Sequence, residues 1–407
     1  MECASFSGGE AEELRRAFGF KRSEARMKTI EVKLRAGLKR NGIEGKTQDE
    51  IVLAISSFAL YGFPESHAAS FALLAYASAY IKCNYLAAFT AAILNNQPMG
   101  FYQPFTIIKD AQRHGLKVLP VDITCSDWLC TIETAAAEAS LGEGEKGETR
   151  DRVTWGVGPA PDPSVSSSPK LALRLGLRYV KGLTEQSGRA IVSARAAGPF
   201  AGIDDLRNRV PELRKDELRK LAAVGALNFL QTPSVHRRDA LWQVERVARA
   251  GGELYEQLLE EDGNSPLDSM TITERVDADF RGTGLTVGKH PVAYHRQKLN
   301  RLKALRAIDI RRLSDGNFVR VAGWVIVRQR PGTAKGFVFL SLEDETGVSN
   351  IIVTPQLFDR YRRELVSHPF LLIEGLLQNQ DNVISVKASR IEPLPFKVAA
   401  APSHDFH

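Results

Sequence analysis

The sequence has few cysteines and no long apolar run. Cys3, Cys83, Cys125 and Cys130 are all the cysteines in 407 residues, too few and too scattered for a disulfide framework, so a reducing, cytoplasmic setting is expected. No stretch of eighteen or more apolar residues occurs, so no membrane-spanning helix is expected. The opening MECASFSGGEAEELRRAFGFKR lacks the basic, apolar, small order of a secretion signal. Several signatures of chemistry are missing too. There is no Gly-x-Ser-x-Gly elbow, and GEGEKGET lacks the Lys-Ser/Thr ending of a phosphate loop. GTGLTVG does not sit between a strand and a helix as a dinucleotide site requires. Cys125 and Cys130 are five apart without paired Cys or His ligands, and His290 and His295 are five apart around Pro291, which argues against zinc.

Also scarce are carboxylates in a catalytic setting. Two-metal nucleotidyl transfer needs two or three aspartates held rigidly on strands. Asp277-Ala278-Asp279 is a DxD pair, and it reads as linker without a flanking apolar strand. Asp204-Asp205 reads as a helix cap, Glu260-Glu261-Asp262 as a solvated run, and Glu343-Asp344-Glu345 as a turn. No catalytic residue and no metal ligand is assigned to this chain.

What is present is an ordinary globular balance, 43% hydrophobic and 25% charged. The length calls for two to four domains. The net charge of +6 points toward a polyanionic partner. Basic residues recur in LRKDELRK, in HRRDALWQVERVAR and along Arg296–Arg312.

The patterning predicts a multidomain α+β chain. Residues 1–115 read as helical. Ser7 precedes one helix, Met27–Asn41 forms another that ends at Asn41-Gly42, and Thr47 caps a third. From Ser66 or Ser70 a long helix is expected through Gln97, its Ala, Leu and aromatic content implying burial on most sides. Residues 116–235 combine short strands (Leu116–Val121, Trp128–Glu133, Leu171–Tyr179) with a tandem helix-hairpin-helix module, and 135–169 reads as a flexible loop. Residues 236–312 read as a linker with helices. Residues 313–395 give three strands, a helix capped by Thr354, then two strands, the chain order of an OB-fold barrel. Residues 396–407 read as a disordered tail.

Two stretches carry binding chemistry. In LRYVKGLTEQSGRAIVSAR a glycine-containing turn allows backbone amides to approach a phosphate, and the following helix adds the positive end of its dipole. Lys181 and Arg189 supply charge, Gly182 the turn, and Thr184 a cap and a hydroxyl. The bland alternative is an ordinary αα-hairpin. A second copy follows in ELRKDELRKLAAVGALNFL, with Leu218, Leu221 and Leu227 packing inward. On the barrel, strands two and three and their loops form the usual ligand face, and Arg328, Arg330, Lys335, Phe337 and Phe339 lie on or beside it. Val338 and Leu340 alternate with the phenylalanines, so one set is core; that both phenylalanines are core stands as the alternative.

YGFPESHAASFALLAYASAYIKCNYLAAFTAAILNNQPMGFY resembles the end of the fingers in the alpha subunit of bacterial DNA polymerase III. The family's Tyr-Gly-Phe-x-x-Ser-His-Ala-Ala segment and following helix match Tyr61, Gly62, Phe63, Ser66, His67, Lys82, Tyr85, Ala87 and Phe89. GLKVLPVDI, the hairpin and the OB barrel follow in the family's order. Phe-Pro-Glu-Ser-His, SDWLCTIE and the SHDFH end are most similar to the error-prone form used in damage-induced mutagenesis.

The resemblance implies a DNA-directed DNA polymerase whose parent uses Mg²⁺ and deoxynucleoside triphosphates. This chain is expected to hold the C-terminal part: fingers, duplex grip and barrel, without the catalytic palm. Alone it should bind primed duplex and single-stranded template, bind no cofactor and catalyse nothing. Ser66, His67 and Lys82 are the expected donors near incoming nucleotide or template. Other mutagenesis or replication proteins are implied as partners. Glu253-Leu254-Tyr255-Glu256-Gln257-Leu258 matches the family's sliding-clamp element poorly, so direct clamp binding is not expected. Two rivals stay open: a non-enzymatic DNA-binding repair protein, and an RNA-binding translation factor.

Overall fold

The computed structural model describes residues 4–10, 24–61, 65–98, 102–134, 171–230, 236–247, 265–331, 334–380, 383–396 and 404–406. The chain divides into two compact units, Met1–Asn84 and Tyr85–His407. The boundary therefore falls inside the 1–115 stretch that composition alone treats as one region.

In the first unit Ser7 opens a helix through a reciprocal cap: its hydroxyl accepts from the Glu10 amide, and the Glu10 carboxylate accepts from the Ser7 amide. Helix α1 (Glu24–Arg40) ends at Gly42 with φ +77°. It packs Leu34 and Leu38 against Val52 of α2 (Lys46–Tyr61) and against Ala4. Thr47 does not cap α2. The helix begins one residue earlier, the Gly45 carbonyl accepts from the Asp49 amide, and Gly45 has φ +63°.

The single long helix expected from Ser66 to Gln97 is two helices. Helix α3 (Glu65–Asn84) ends the first unit, Tyr85 leaves helical geometry at φ −132° and ψ 50°, and α4 (Leu86–Asn95) begins the second. Nor is α3 buried: Phe71, Leu73, Leu74, Tyr76 and Tyr80 are exposed. Apolar composition signals a demand for a covering surface, and the described residues do not supply one.

In the second unit α4 and α5 (Pro104–Arg113) precede a small sheet of β1 (Lys117–Leu119), β2 (Thr131–Thr134) and β3 (Leu171–Arg174), ordered β1-β3-β2. β3 runs parallel to β1 and antiparallel to β2. The expected 135–169 loop lies outside the described residues. A 3₁₀ turn (Leu177–Tyr179) leads into α6 (Glu185–Ala196), α7 (Ile203–Arg209), α8 (Lys215–Val224) and α9 (Arg237–Val247).

Residues 265–312 carry α10 (Ile272–Thr283), α11 (Arg296–Arg301) and α12 (Ala307–Ile310). Here the linker reading meets a packed element. Ala240 and Val244 of α9 and Val276 and Phe280 of α10 are buried in the same core as the hairpin helices. The DxD pair accordingly sits on a helix. Asp279 accepts from Arg237 at 2.7 Å and from the Thr286 hydroxyl at 2.6 Å, and Asp277 pairs with Arg281.

Five strands close the barrel: β4 (Phe318–Gln329), β5 (Val338–Glu343), β6 (Val348–Val353), β7 (Phe370–Gln380) and β8 (Val383–Pro393). The order β5-β6-β8-β7-β4 is completed by a β5–β4 pairing, with β6 and β8 parallel; this is the OB topology. Between β6 and β7 the helix capped by Thr354 breaks at Tyr361 into α13 (Pro355–Arg360) and α14 (Arg362–Ser367).

Along β4 the period-two pattern is apolar on both faces, for a reason the structure supplies. Val319, Val321 and Val325 enter the barrel core, while Ala322 and Trp324 enter the core shared with the helices. Trp324 lies among Phe105, Phe280 and Phe370, ring centroids 4.9–5.1 Å away. The end of the chain, read as a disordered tail, includes a short strand β9 (His404–Phe406) parallel to Val327–Gln329 of β4.

Candidate nucleic-acid interface

The first hairpin is built around Gly182. Its φ is +79°, a conformation that selects glycine, and the Lys220 ammonium lies over it, 2.6 Å from where a Cβ would be. Val180 and Leu183 are buried on either side, which anchors the turn and leaves Lys181, Gly182 and Thr184 exposed. Thr184 caps α6, its hydroxyl accepting from the Ser187 amide. Lys181 is tied to the end of α10: its amide donates to the Gly282 carbonyl at 2.7 Å and its ammonium to the Phe280 carbonyl at 3.1 Å. Arg189 is exposed and pairs with Glu185 one turn back.

The second hairpin joins α7 to α8 and presents Arg214, Lys215 and Arg219 to solvent. Leu218, Leu221 and Leu227 are buried beneath it, as the pattern requires. Lys220 reaches across to the Gly182 carbonyl at 3.1 Å and pairs with Asp216. Lys215 and Arg219 share Glu245 of α9.

Glu217, which sequence reading passed over, ties the two hairpins together. It is fully buried. Its carboxylate accepts from the Thr184 amide at 2.8 Å, from the Ser187 hydroxyl at 2.9 Å and from the Arg214 amide at 3.0 Å. Thr184 and Arg214 are the N-caps of α6 and α8, so one anion joins the positive ends of two helices. Burial pushes this carboxyl up, but the donated hydrogen bonds outweigh it and hold it below the ordinary glutamate value. The available signal was half of a capping box, a glutamate three residues after the N-cap Arg214, without the Ser or Thr that completes it. That pattern announces the local cap and not the reach back to Thr184.

On the barrel the alternation resolves. Val338 and Leu340 are core, 4% and 2% exposed, whereas Phe339 is 36% exposed and Phe337 half-buried. Across the strands Gln329, Phe339, Ile352 and Lys387 are successive register partners. They form an outward row with an aromatic ring at one side and an exposed ammonium at the other. Arg328 is placed differently from the expectation. Its guanidinium donates to the Leu365 carbonyl at 2.7 Å and to the His368 carbonyl at 3.0 Å, fastening β4 to α14. Arg330 stacks on Phe358 with its guanidinium carbon 4.7 Å from the ring centre, and Lys335 is exposed at φ +50°.

Ser66, His67 and Lys82 belong to α3 of the first unit. His67 is exposed and lies against Phe71, ring centroids 4.4 Å apart. Fifteen helical residues separate His67 from Lys82, about 22 Å along the axis, so α3 does not gather them into one site. The Ser66 side chain and the segment 253–258 lie outside the described residues.

Two families match parts of the chain: one described as a helix-hairpin-helix motif over residues 115–240, and one described as an OB-fold nucleic acid binding domain over residues 319–394. Relatives named error-prone DNA polymerase match nearly all of this chain. Those of Anaeromyxobacter sp. (strain K) and Azoarcus sp. (strain BH72) are each 41% identical over 99% of this chain. Over nearly its whole length the chain is similar to error-prone DNA polymerases. That of Burkholderia pseudomallei (strain K96243) is 39% identical over the same share. The chain spans about a third of the length of these relatives, 33% to 35%. Among solved structures, asparaginyl-tRNA synthetase from Pyrococcus horikoshii matches 25% of this chain and 24% of its own. The identity is 21% and the TM-score 0.21, too slight a likeness to carry an argument. No helix among the described residues is long and apolar enough to cross a membrane.

Proposed function

We propose that the chain is the DNA-holding part of an error-prone DNA polymerase that acts in replication and damage-induced translesion synthesis. The two hairpins grip the backbone of primed duplex, and the barrel guides single-stranded template along the Gln329–Lys387 row. The observation that carries this reading is the exposed glycine turn at Gly182, held beside the start of α8 by Glu217, with the exposed cations Lys181, Arg189, Lys215 and Arg219 around it. The first-turn amides that neither Glu217 nor the Thr184 hydroxyl takes have no intrahelical acceptor, and with nearby cations they make a phosphate site that is indifferent to base sequence. Phe339 supplies a face on which a base can stack.

In this reading nucleotidyl transfer, with its Mg²⁺ and deoxynucleoside triphosphates, rests on carboxylates outside these residues. Ser66 and His67 at the start of α3 act on triphosphate or template. His67→Ala in a complete polymerase then raises the apparent nucleotide KM and leaves kcat nearly unchanged. Other mutagenesis or replication proteins complete the assembly in the cytoplasm, and direct contact with a sliding clamp is not part of the proposal.

The test is binding of primed duplex to the purified chain, followed by fluorescence anisotropy across a salt series. Each phosphate contact contributes about 0.9 to the slope of log affinity against log salt. Lys181→Ala with Arg189→Ala is therefore expected to make the slope shallower by about 2. Failure to retain primed DNA at low salt sinks the proposal. Nucleotide incorporation by this chain alone sinks the division of labour.

A further inference from the structure

Arginines of the hairpin module pair with carboxylates in the free chain, Arg189 with Glu185, Arg209 with Asp205, Arg219 with Glu245 and Arg237 with Asp279, and a phosphate has to compete with the exposed pairs for them. One end of the barrel differs. Arg330, Lys335, Arg360, Arg362 and Arg363 are exposed, and none is ion-paired among the described residues. They outnumber Asp359 and Glu364, the only carboxylates of α13 and α14.

Two ring contacts and adjacency in the chain place these cations along α13, α14 and the loop before β5. Arg330, just beyond β4, stacks on Phe358 of α13. Lys335 precedes Gly336, where an added Cβ would lie 3.4 Å from Pro355 in the first turn of α13. Arg360 ends that helix with its guanidinium carbon 5.3 Å from the centre of the Tyr361 ring, and Arg362 and Arg363 follow at once. The Arg328 clamp onto Leu365 and His368 fixes the end of β4 along α14. A guanidinium laid on a ring keeps its in-plane donors free for a planar or tetrahedral anion and has less side-chain freedom to lose on binding. Isolated surface lysines lack that preorganisation.

This stretch is also continuous with the outward row of the barrel. Arg330 follows Gln329, the register partner of Phe339, and α13 begins two residues after Val353 of β6, the strand that carries Ile352. We infer that α13, α14 and the β4–β5 loop form a phosphate track that carries single-stranded nucleic acid onward from the Phe339–Ile352–Lys387 row. This rests on the nucleic-acid reading of the barrel and extends it from the β4–β5 loop to α13 and α14, which lie outside the usual ligand face.

The experiment uses the full chain and single-stranded oligonucleotides of about 6 and about 15 nucleotides, spanning the usual range of one OB site. Anisotropy is read over a salt series. The variant Arg360→Ala/Arg362→Ala/Arg363→Ala is exposed at every position, and a thermal melt checks that it folds. On the longer strand it should lose roughly tenfold in affinity at moderate salt, with the slope shallower by about 2, since each single-strand contact is worth about 0.7. On the shorter strand affinity should hold. Phe339→Ala should weaken both lengths. Unchanged binding of the longer strand by the triple variant overturns the track, including the case where these cations serve an acidic protein. If Phe339→Ala leaves both lengths unchanged while the triple variant still loses affinity for the longer one, the barrel-face reading fails and the track survives it.

Discussion

Glu217 shows how much can hang on one side chain. Its carboxylate oxygens receive the Thr184 amide on one side and the Ser187 hydroxyl and Arg214 amide on the other. Glutamine has the same shape but turns one acceptor into a donor. Whichever way its amide faces, a backbone N–H meets an N–H. Leaving one buried donor unmet costs about 1–3 kcal/mol, so Glu217→Gln should lower the melting temperature measurably at neutral pH. The pH dependence has a definite sign. The folded carboxyl sits below its ordinary value, so its contribution is present above that value and fades as pH falls through the folded one. Below pH ~4, near the unperturbed glutamate pKa, the gap between native and Glu217→Gln melts should narrow. A gap that stays constant into acid would mean the charge contributes nothing.

Lys109 titrates in the opposite sense. Its ammonium is buried on α5, donating to the Gly288 carbonyl and the Gln112 side chain. Burial drags its pKa down to about 7, against the opposing pull of Glu343 and Asp279. The unfolded chain then holds a proton that the folded one releases between about 7 and the ordinary lysine value, so this group makes stability rise with pH across that window. Lys109→Met should flatten that rise in melts taken from pH 7 to pH 10. An undiminished slope would show that another group is responsible.

At the scale of elements, helix α6 depends on its cap and on the turn before it. Thr184→Ala removes the acceptor for the Ser187 amide and should cost about 1 kcal/mol. Gly182→Ala should be worse, because the φ of +79° opposes a Cβ whatever the space, even though the Lys220 side chain can swing aside. The two variants are ranked by denaturant midpoints at constant slope, and equal midpoints would mean that the turn tolerates a side chain.

These elements were also the legible ones. A glycine turn, a capping threonine and inward leucines at helical spacing are local facts, and local facts survive into the fold. The barrel was readable for the same reason, through strand alternation and the Thr354 cap. What escaped depends on partners distant in sequence. Arg328 reads as a cation on a ligand face until the carbonyls of Leu365 and His368 claim it. The DxD pair reads as linker until Arg237 and Thr286 arrive. Helix α3 reads as core because composition records apolar surface and says nothing of what covers it.

For the second unit as a whole, the decisive feature is that β4 belongs to two cores. Val319, Val321 and Val325 face the barrel interior, and Ala322 and Trp324 face Phe105 and Phe280 of the helical part. A buried ion pair, Arg113 with Glu343 at 2.8 Å, and Arg296 with Glu345 at 2.6 Å reinforce the same seam. Hairpins and barrel therefore share one hydrophobic core and should unfold in a single transition, with far-ultraviolet signal and tryptophan fluorescence coincident. Trp324→Ala, a full truncation at that seam, should cost about 3–5 kcal/mol, and Trp324→Phe considerably less. The functional consequence follows from geometry. Two sites held at fixed separation act on a duplex with a single-stranded overhang as one ligand, each raising the effective concentration of the other. Trp324→Phe, which touches no proposed DNA contact, should therefore weaken binding to the overhanging junction while leaving blunt duplex binding nearly unchanged. Equal losses on both substrates would mean that the seam holds the fold together without coupling the two sites.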